Sequence, residues 1–148
     1  MNVNVQTLIP VFVALPLAAS LLLQLVARRS RLVSESLNIL TMLALVVMTF
    51  LALGERGIYN LGGWPTPIGI DLRLDELSVL MLMVVNVIGL VVAIYSVDYM
   101  RRFTASRHFY GLFLLMVTGM NGVILAGDLF NLYVFLEVAA IASYSLVA

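Results

Sequence analysis

Residues 77–97 read LSVLMLMVVNVIGLVVAIYSV, uncharged from end to end, with Glu76 before them and Asp98 after. A helix rises about 1.5 Å per residue, so about 20 such residues cross a hydrocarbon core of roughly 30 Å. Four other stretches read the same way. Met1–Ala27 stops at Arg28, a second stretch lies between Glu35 and Glu55, and a third runs from Arg107 to Asp128. The last starts at Leu129 and meets a single charge, Glu137. Composition agrees: 63% of the 148 residues are apolar, 11% are charged, and mean hydropathy is +1.11. A soluble domain carries about 25% charge and could not hide that much apolar surface. The expectation is an all-α membrane protein of one domain, residues 1–148. Its five spans fall near 6–27, 36–54, 77–97, 109–127 and 129–148.

Pro10 and Pro16 lie inside the first stretch, and membrane helices tolerate such breaks. Its basic residues, Arg28, Arg29 and Arg31, follow the apolar run instead of preceding it, which argues for a retained span over a cleaved leader. Arginines also set an expected orientation. Arg28, Arg29 and Arg31 occupy the first connection, and Arg101, Arg102 and Arg107 the third. Arg56 and Arg73 in the second are offset by Glu55, Asp71, Asp75 and Glu76. The positive-inside rule then places the amino terminus outside and the carboxyl terminus at the cytoplasmic face of the cell membrane. Glu35 and Asp98 are expected to pair with arginines at that surface.

The second connection, about 55–75, is the sizeable piece outside the membrane. Gly62, Gly63, Pro65 and Pro67 signal turns, after which Ile68, Ile70, Leu72 and Leu74 alternate with Gly69, Asp71, Arg73 and Asp75. This predicts a short outer-face β-hairpin between helices 2 and 3, with Trp64 near the interface. Asp75 and Glu76 open the third span and Asp128 the fifth, where the helix dipole favours anions.

Several functions are excluded by composition. Net charge is zero, so no broad basic surface addresses nucleic acid. With no cysteine there is no disulfide, no cysteine-held cluster and no thiol chemistry; one histidine is too few for a metal site. No cofactor is indicated, and no catalytic pair lies within the spans.

Glu137 stands out. It lies nine residues past Asp128, about 14 Å deep at 1.5 Å per residue, near the bilayer midplane. A carboxylate there must be paired, hydrated or protonated. Low dielectric favours the neutral form, so a carboxyl so placed can take up and release a proton, which is what a relay requires. Tyr133 and Tyr144, four residues before and seven after, share its helix face. Ala139, Ala140, Ala142 and Ser143 let another helix approach closely. The plainer alternative is a structural carboxyl bonded to a neighbouring helix. Asn86, Thr118 and Asn121 fit ordinary interhelical hydrogen bonds or the lining of a water path to Glu137. His108 fits an interfacial side chain or a proton entry. Gly111, Gly119, Gly122 and Gly127 fit close packing.

Gly127–Tyr144, GDLFNLYVFLEVAAIASY, resembles the fifth helix of the antiporter-like subunits of respiratory complex I, Mrp-type Na+/H+ antiporters and membrane-bound hydrogenases. Trp64–Ser78, WPTPIGIDLRLDELS, resembles that family's outer hairpin leading into its third helix. YSVDYM from Tyr95 and FYGLFLL from Phe109 add to the match, and the wording is nearest to the Mrp D subunit and its hydrogenase counterpart. The resemblance implies a multisubunit complex in a lipid bilayer, proton or Na+/H+ translocation, and an essential glutamate matching Glu137. In the family that glutamate works with a lysine on an interrupted seventh helix. Here all eight cationic residues are arginine, and the family's later helices have no counterpart. The sequence is therefore expected to be a fragment of a longer subunit, a split subunit completed by another chain, or a remnant kept as a structural spacer. A small stand-alone exporter with one membrane glutamate fits the hairpin and the second half less well.

Overall fold

The computed structural model describes residues 5–26, 31–63, 69–102 and 106–147. Five helices follow in order: α1 (Val5–Val26), α2 (Arg31–Leu51), α3 (Glu76–Tyr99), α4 (Ser106–Leu125) and α5 (Leu129–Val147). Each is long and apolar enough to cross a membrane. Between α2 and α3, β1 (Gly57–Asn60) and β2 (Asp71–Leu74) pair antiparallel, Gly57 opposite Leu74 and Asn60 opposite Asp71. Trp64, assigned to the interface from sequence, lies outside the described residues.

Side chains cap the starts of α3 and α5. Asp75 caps α3: its carboxylate accepts the Ser78 N–H at 2.7 Å and the Ser78 hydroxyl at 2.9 Å. Asp128 does the same for α5, accepting the Asn131 N–H at 2.7 Å. The turn after β1 passes through Gly62 and Gly63, both at positive φ, where a side chain would be strained. Within α2, ahead of its uncharged stretch, Arg31 Nε donates to Glu35 at 2.7 Å across one turn. Glu35, expected at the surface, is instead buried at 6% exposure, since that pair faces the bundle. Asp98 does stay exposed, 4.0 Å from Arg101.

α4 is the central helix. It packs along α1 on one side and α5 on the other, with α3 also against it, while α2 lies mainly on α3 and α1. Ile9, Phe12 and Leu23 of α1, Met42 and Leu45 of α2, Leu82 of α3 and Leu114 of α4 fill the core, each fully buried.

Four helices are tied through one polar chain. Pro16 has no N–H, so the Phe12 carbonyl lacks its helical donor. Asn121 Nδ2 of α4 supplies the missing bond at 3.1 Å and also donates to Asn86 Oδ1 of α3 at 3.3 Å. Asn86 Nδ2 in turn donates to the Thr49 hydroxyl of α2 at 3.2 Å, and Thr49 to the Leu45 carbonyl. Beyond Pro16, the Ser20 hydroxyl donates to the Gly111 carbonyl at 2.7 Å, a second tie from α1 to α4.

Candidate functional site

The site is built on α5, and contacts at two places fix that helix. At its start the hairpin holds it. Gly127 N–H donates to the Asp71 carbonyl at 2.9 Å, Asn131 Nδ2 reaches the same carbonyl at 3.5 Å, and Asp71 N–H donates to Asp128 at 3.3 Å. The Asp71 carboxylate, buried and bonded by Arg73 Nε at 2.7 Å, lies over the Gly127 Cα; a Cβ there would come within 2.5 Å of its oxygen. Along its length, α5 meets α4 through small residues. A Cβ on Gly119 would sit 2.6 Å from the Ala139 backbone, and one on Gly122 would enter the Phe135 ring.

Asn131, Phe135, Ala139 and Ala142 thus define the face toward α4, spaced by four, four and three residues. Glu137 stands on the other side of the helix, next to its midpoint. Tyr133 and Tyr144 share that face at 61% and 73% exposure, with Phe130 and Ile141 beside them. Of the five helices α5 is the least buried, and Glu137 is half-buried with no hydrogen-bond or ion-pair partner among the described residues. The arrangement presents a carboxyl group, flanked along the helix by two phenols, to whatever packs on this face. Chemically it can accept and donate protons and hydrogen bonds.

The other candidate residues lie elsewhere. Asn86 and Asn121 are fully buried within the interior of α1–α4 and bonded as described; Thr118 donates to the Leu114 carbonyl of its own helix at 2.8 Å. Their side chains point into that interior, whereas Glu137 points away from α4. His108 is exposed in the first turn of α4, at the end of the bundle away from the hairpin. Strand alternation gives Asp71 to the solvent side and so misses its burial under Gly127. The signal that could have found it is a carboxylate and a cation two residues apart, to be matched with the Gly-Asp corner before α5.

Outside the helices, Arg73 is held further toward its charged form by the hydrogen bond it donates to Asp71. The bond from Ser78 N–H holds the Asp75 carboxyl below the usual carboxylate range.

Comparison with known proteins places this geometry. Residues 64–110 match the family model described as the N-terminus of complex I (NADH-ubiquinone oxidoreductase) chain 5. The D subunit of a probable K(+)/H(+) antiporter of Rhizobium meliloti is 40% identical over 144 residues, covering 90% of this chain and 26% of that protein. A chain in an archaeal respiratory complex, the membrane-bound sulfane sulfur reductase, superposes with a TM-score of 0.87 at 27% identity, over 95% of this chain and 30% of its own. A chain of the Mrp complex from Dietzia sp. DQ12-45-1b does so with a TM-score of 0.80 at 32% identity, over 97% of this chain and 27% of its own. This chain therefore spans between a quarter and a third of the length of these relatives. Over that shared length, it belongs to the antiporter-like membrane subunits of complex I and the Mrp-type antiporters.

Proposed function

We propose that this chain is the amino-terminal part of an ion-translocating membrane subunit in which Glu137 takes up and releases the transported proton. The supporting observation is a carboxylate at mid-helix in a membrane span, turned away from its one extensive helical neighbour. In hydrocarbon such a group needs a protein or water partner. The natural occupant of this face is further protein: other membrane subunits, or the remaining length that the relatives possess. The approach of a cation from that side favours the carboxylate, and its withdrawal favours the protonated acid. Alternating the two moves one proton. Tyr133 and Tyr144 extend the hydrogen-bonding face along the helix.

The reading extends to the setting. The chain works in the cell membrane with the hairpin outside, as the arginine distribution supports. It assembles with other membrane subunits, and it moves protons alone or protons against Na+.

The test is Glu137→Gln and Glu137→Asp in the assembled complex, reconstituted in vesicles. Glu137→Gln is expected to lower proton flux by at least about a hundredfold, the scale on which positioned proton-transfer groups contribute. Glu137→Asp keeps part of the flux, and complex yield is unchanged for both. Normal flux in Glu137→Gln overturns the reading. Normal flux with poor yield establishes instead a structural spacer that docks neighbouring subunits.

A further inference from the structure

At the end of the bundle away from the hairpin, polar side chains of three helices meet inside the fold. Arg31, Glu35 and Asn38 of α2 stand at i, i+4 and i+7 and so share one face. Tyr110 of α4 is completely buried, and its hydroxyl lies beside Glu35, Arg31 and Ser96 of α3, near enough to interact with Arg31 and Ser96 but with neither at full hydrogen-bond geometry. The Ser96 hydroxyl is itself turned to the Ala93 carbonyl at 2.7 Å. Four buried polar atoms here have no partner among the described residues: Arg31 Nη2, both side-chain atoms of Asn38, and the Tyr110 hydroxyl. Asn38 is 0% exposed. One layer further in, Met42 and Leu45 continue the same face of α2 and are fully buried, with the Met42 methyl seated on Gly89. That apolar layer follows the polar cluster along the same face of α2.

Polar atoms left unpaired in an interior are costly, and this many in one place calls for an occupant. The donor set identifies it. Arg31 Nη2 and Asn38 Nδ2 only donate, Asn38 Oδ1 only accepts, and a tyrosine hydroxyl does both. A cation is refused by the guanidinium, and an anion by Glu35 and Asn38 Oδ1. A small neutral molecule that both donates and accepts is required, and a buried water typically makes about three such bonds. We propose that the ends of α2, α3 and α4 opposite the hairpin form a water-binding site, in which bound water completes the hydrogen bonds of Arg31, Asn38 and Tyr110. The site is independent of Glu137. It places exchangeable protons beside the Arg31–Glu35 pair, a second carboxylate within the membrane part of the chain.

The decisive measurement is radiolytic hydroxyl-radical labelling in ¹⁸O-water on the purified complex containing the full chain. Tyr110 and Phe12 are both at 0% exposure. Bound water generates radical in place, so Tyr110 is expected to take up label on the order of tenfold faster than Phe12. Equal, slow labelling of both overturns the site. Asn38→Leu gives an independent check through the sign of its effect on the thermal unfolding midpoint of the complex. With water bound, the substitution strands Tyr110 and Arg31, and the midpoint falls. Without bound water it removes two orphan atoms, the midpoint rises, and the proposal fails. If Asn38→Leu does not assemble, labelling of the unsubstituted complex decides alone.

Discussion

At the scale of single residues, what a side chain does depends on which groups its helix turn brings into reach. Asp75 and Glu137 are both carboxylates of helical segments, yet one is a cap and the other a membrane-embedded acid. Asp75 sits where the first N–H groups of α3 are unpaired, and its hydrogen bonds from Ser78 hold its carboxyl below the usual carboxylate range. Asp75→Ala is expected to cost about 1 kcal/mol of stability, as for other lost caps. The pH dependence has a definite sign. A lowered folded-state pKa means the contribution is present above the unfolded value of 3.8 and lost as pH falls through the lower folded one. Thermal midpoints of the complex measured down this acid range should show that loss, and Asp75→Asn, which caps without charge, should lack it. Glu137, by contrast, is legible from position alone, because a charge at mid-span is rare enough to stand out against apolar neighbours.

At the scale of elements, α1 shows how a defect in one helix is completed by another. Pro16 leaves the Phe12 carbonyl open, and Asn121 closes it from α4 at 3.1 Å. Asn121→Leu should therefore destabilise by about 1–3 kcal/mol, the cost of stranding a buried acceptor. Adding Pro16→Ala restores an N–H to the helix and should recover much of that loss. Additive effects in a double-mutant cycle on thermal midpoints would count against the coupling. The α4–α5 contact is equally specific. Gly119 admits the Ala139 backbone so closely that Gly119→Val must push the helices apart. The expected outcome is a lower yield of assembled complex, read by native gel, with Gly111→Ala as the tolerant control because only ordinary contacts surround it. The proline and the glycines can be read directly from sequence. Their partners, Asn121 more than a hundred residues away and Ala139 on the next helix, cannot.

At the scale of the whole molecule, the hairpin and the α4–α5 corner form one unit. Asp71 reaches Gly127, Asp128 and Asn131 through its backbone, so the hairpin sets where α5 begins and hence how deep Glu137 lies. Arg56 of the hairpin connection also pairs with Glu76 at the start of α3. All these groups lie at one end of the bundle, while Arg31, Asp98, Arg101 and His108 lie at the other. The absence of cysteine makes sidedness directly measurable. In intact cells, an impermeant maleimide is expected to label Asn60→Cys, whereas Tyr99→Cys is labelled after the membrane is opened. The reverse pattern would invert the proposed orientation.

Residue order along the chain is enough to set the number of helices, the site of the hairpin and the one carboxylate at mid-span. These follow from local quantities: the length of uncharged runs, the order of charges and the residue chemistry at each helix start. Packing in three dimensions was needed to decide that Asp71, Glu35 and Asn38 are buried, that Asn86 and Asn121 join α1 through α4, and that Glu137 faces away from α4. Apolar residues surround every helix of a membrane protein, so hydrophobic periodicity cannot say which face meets protein and which meets lipid. Close approach at Gly119 and Gly122 makes that choice for α5, and with it the direction in which Glu137 points.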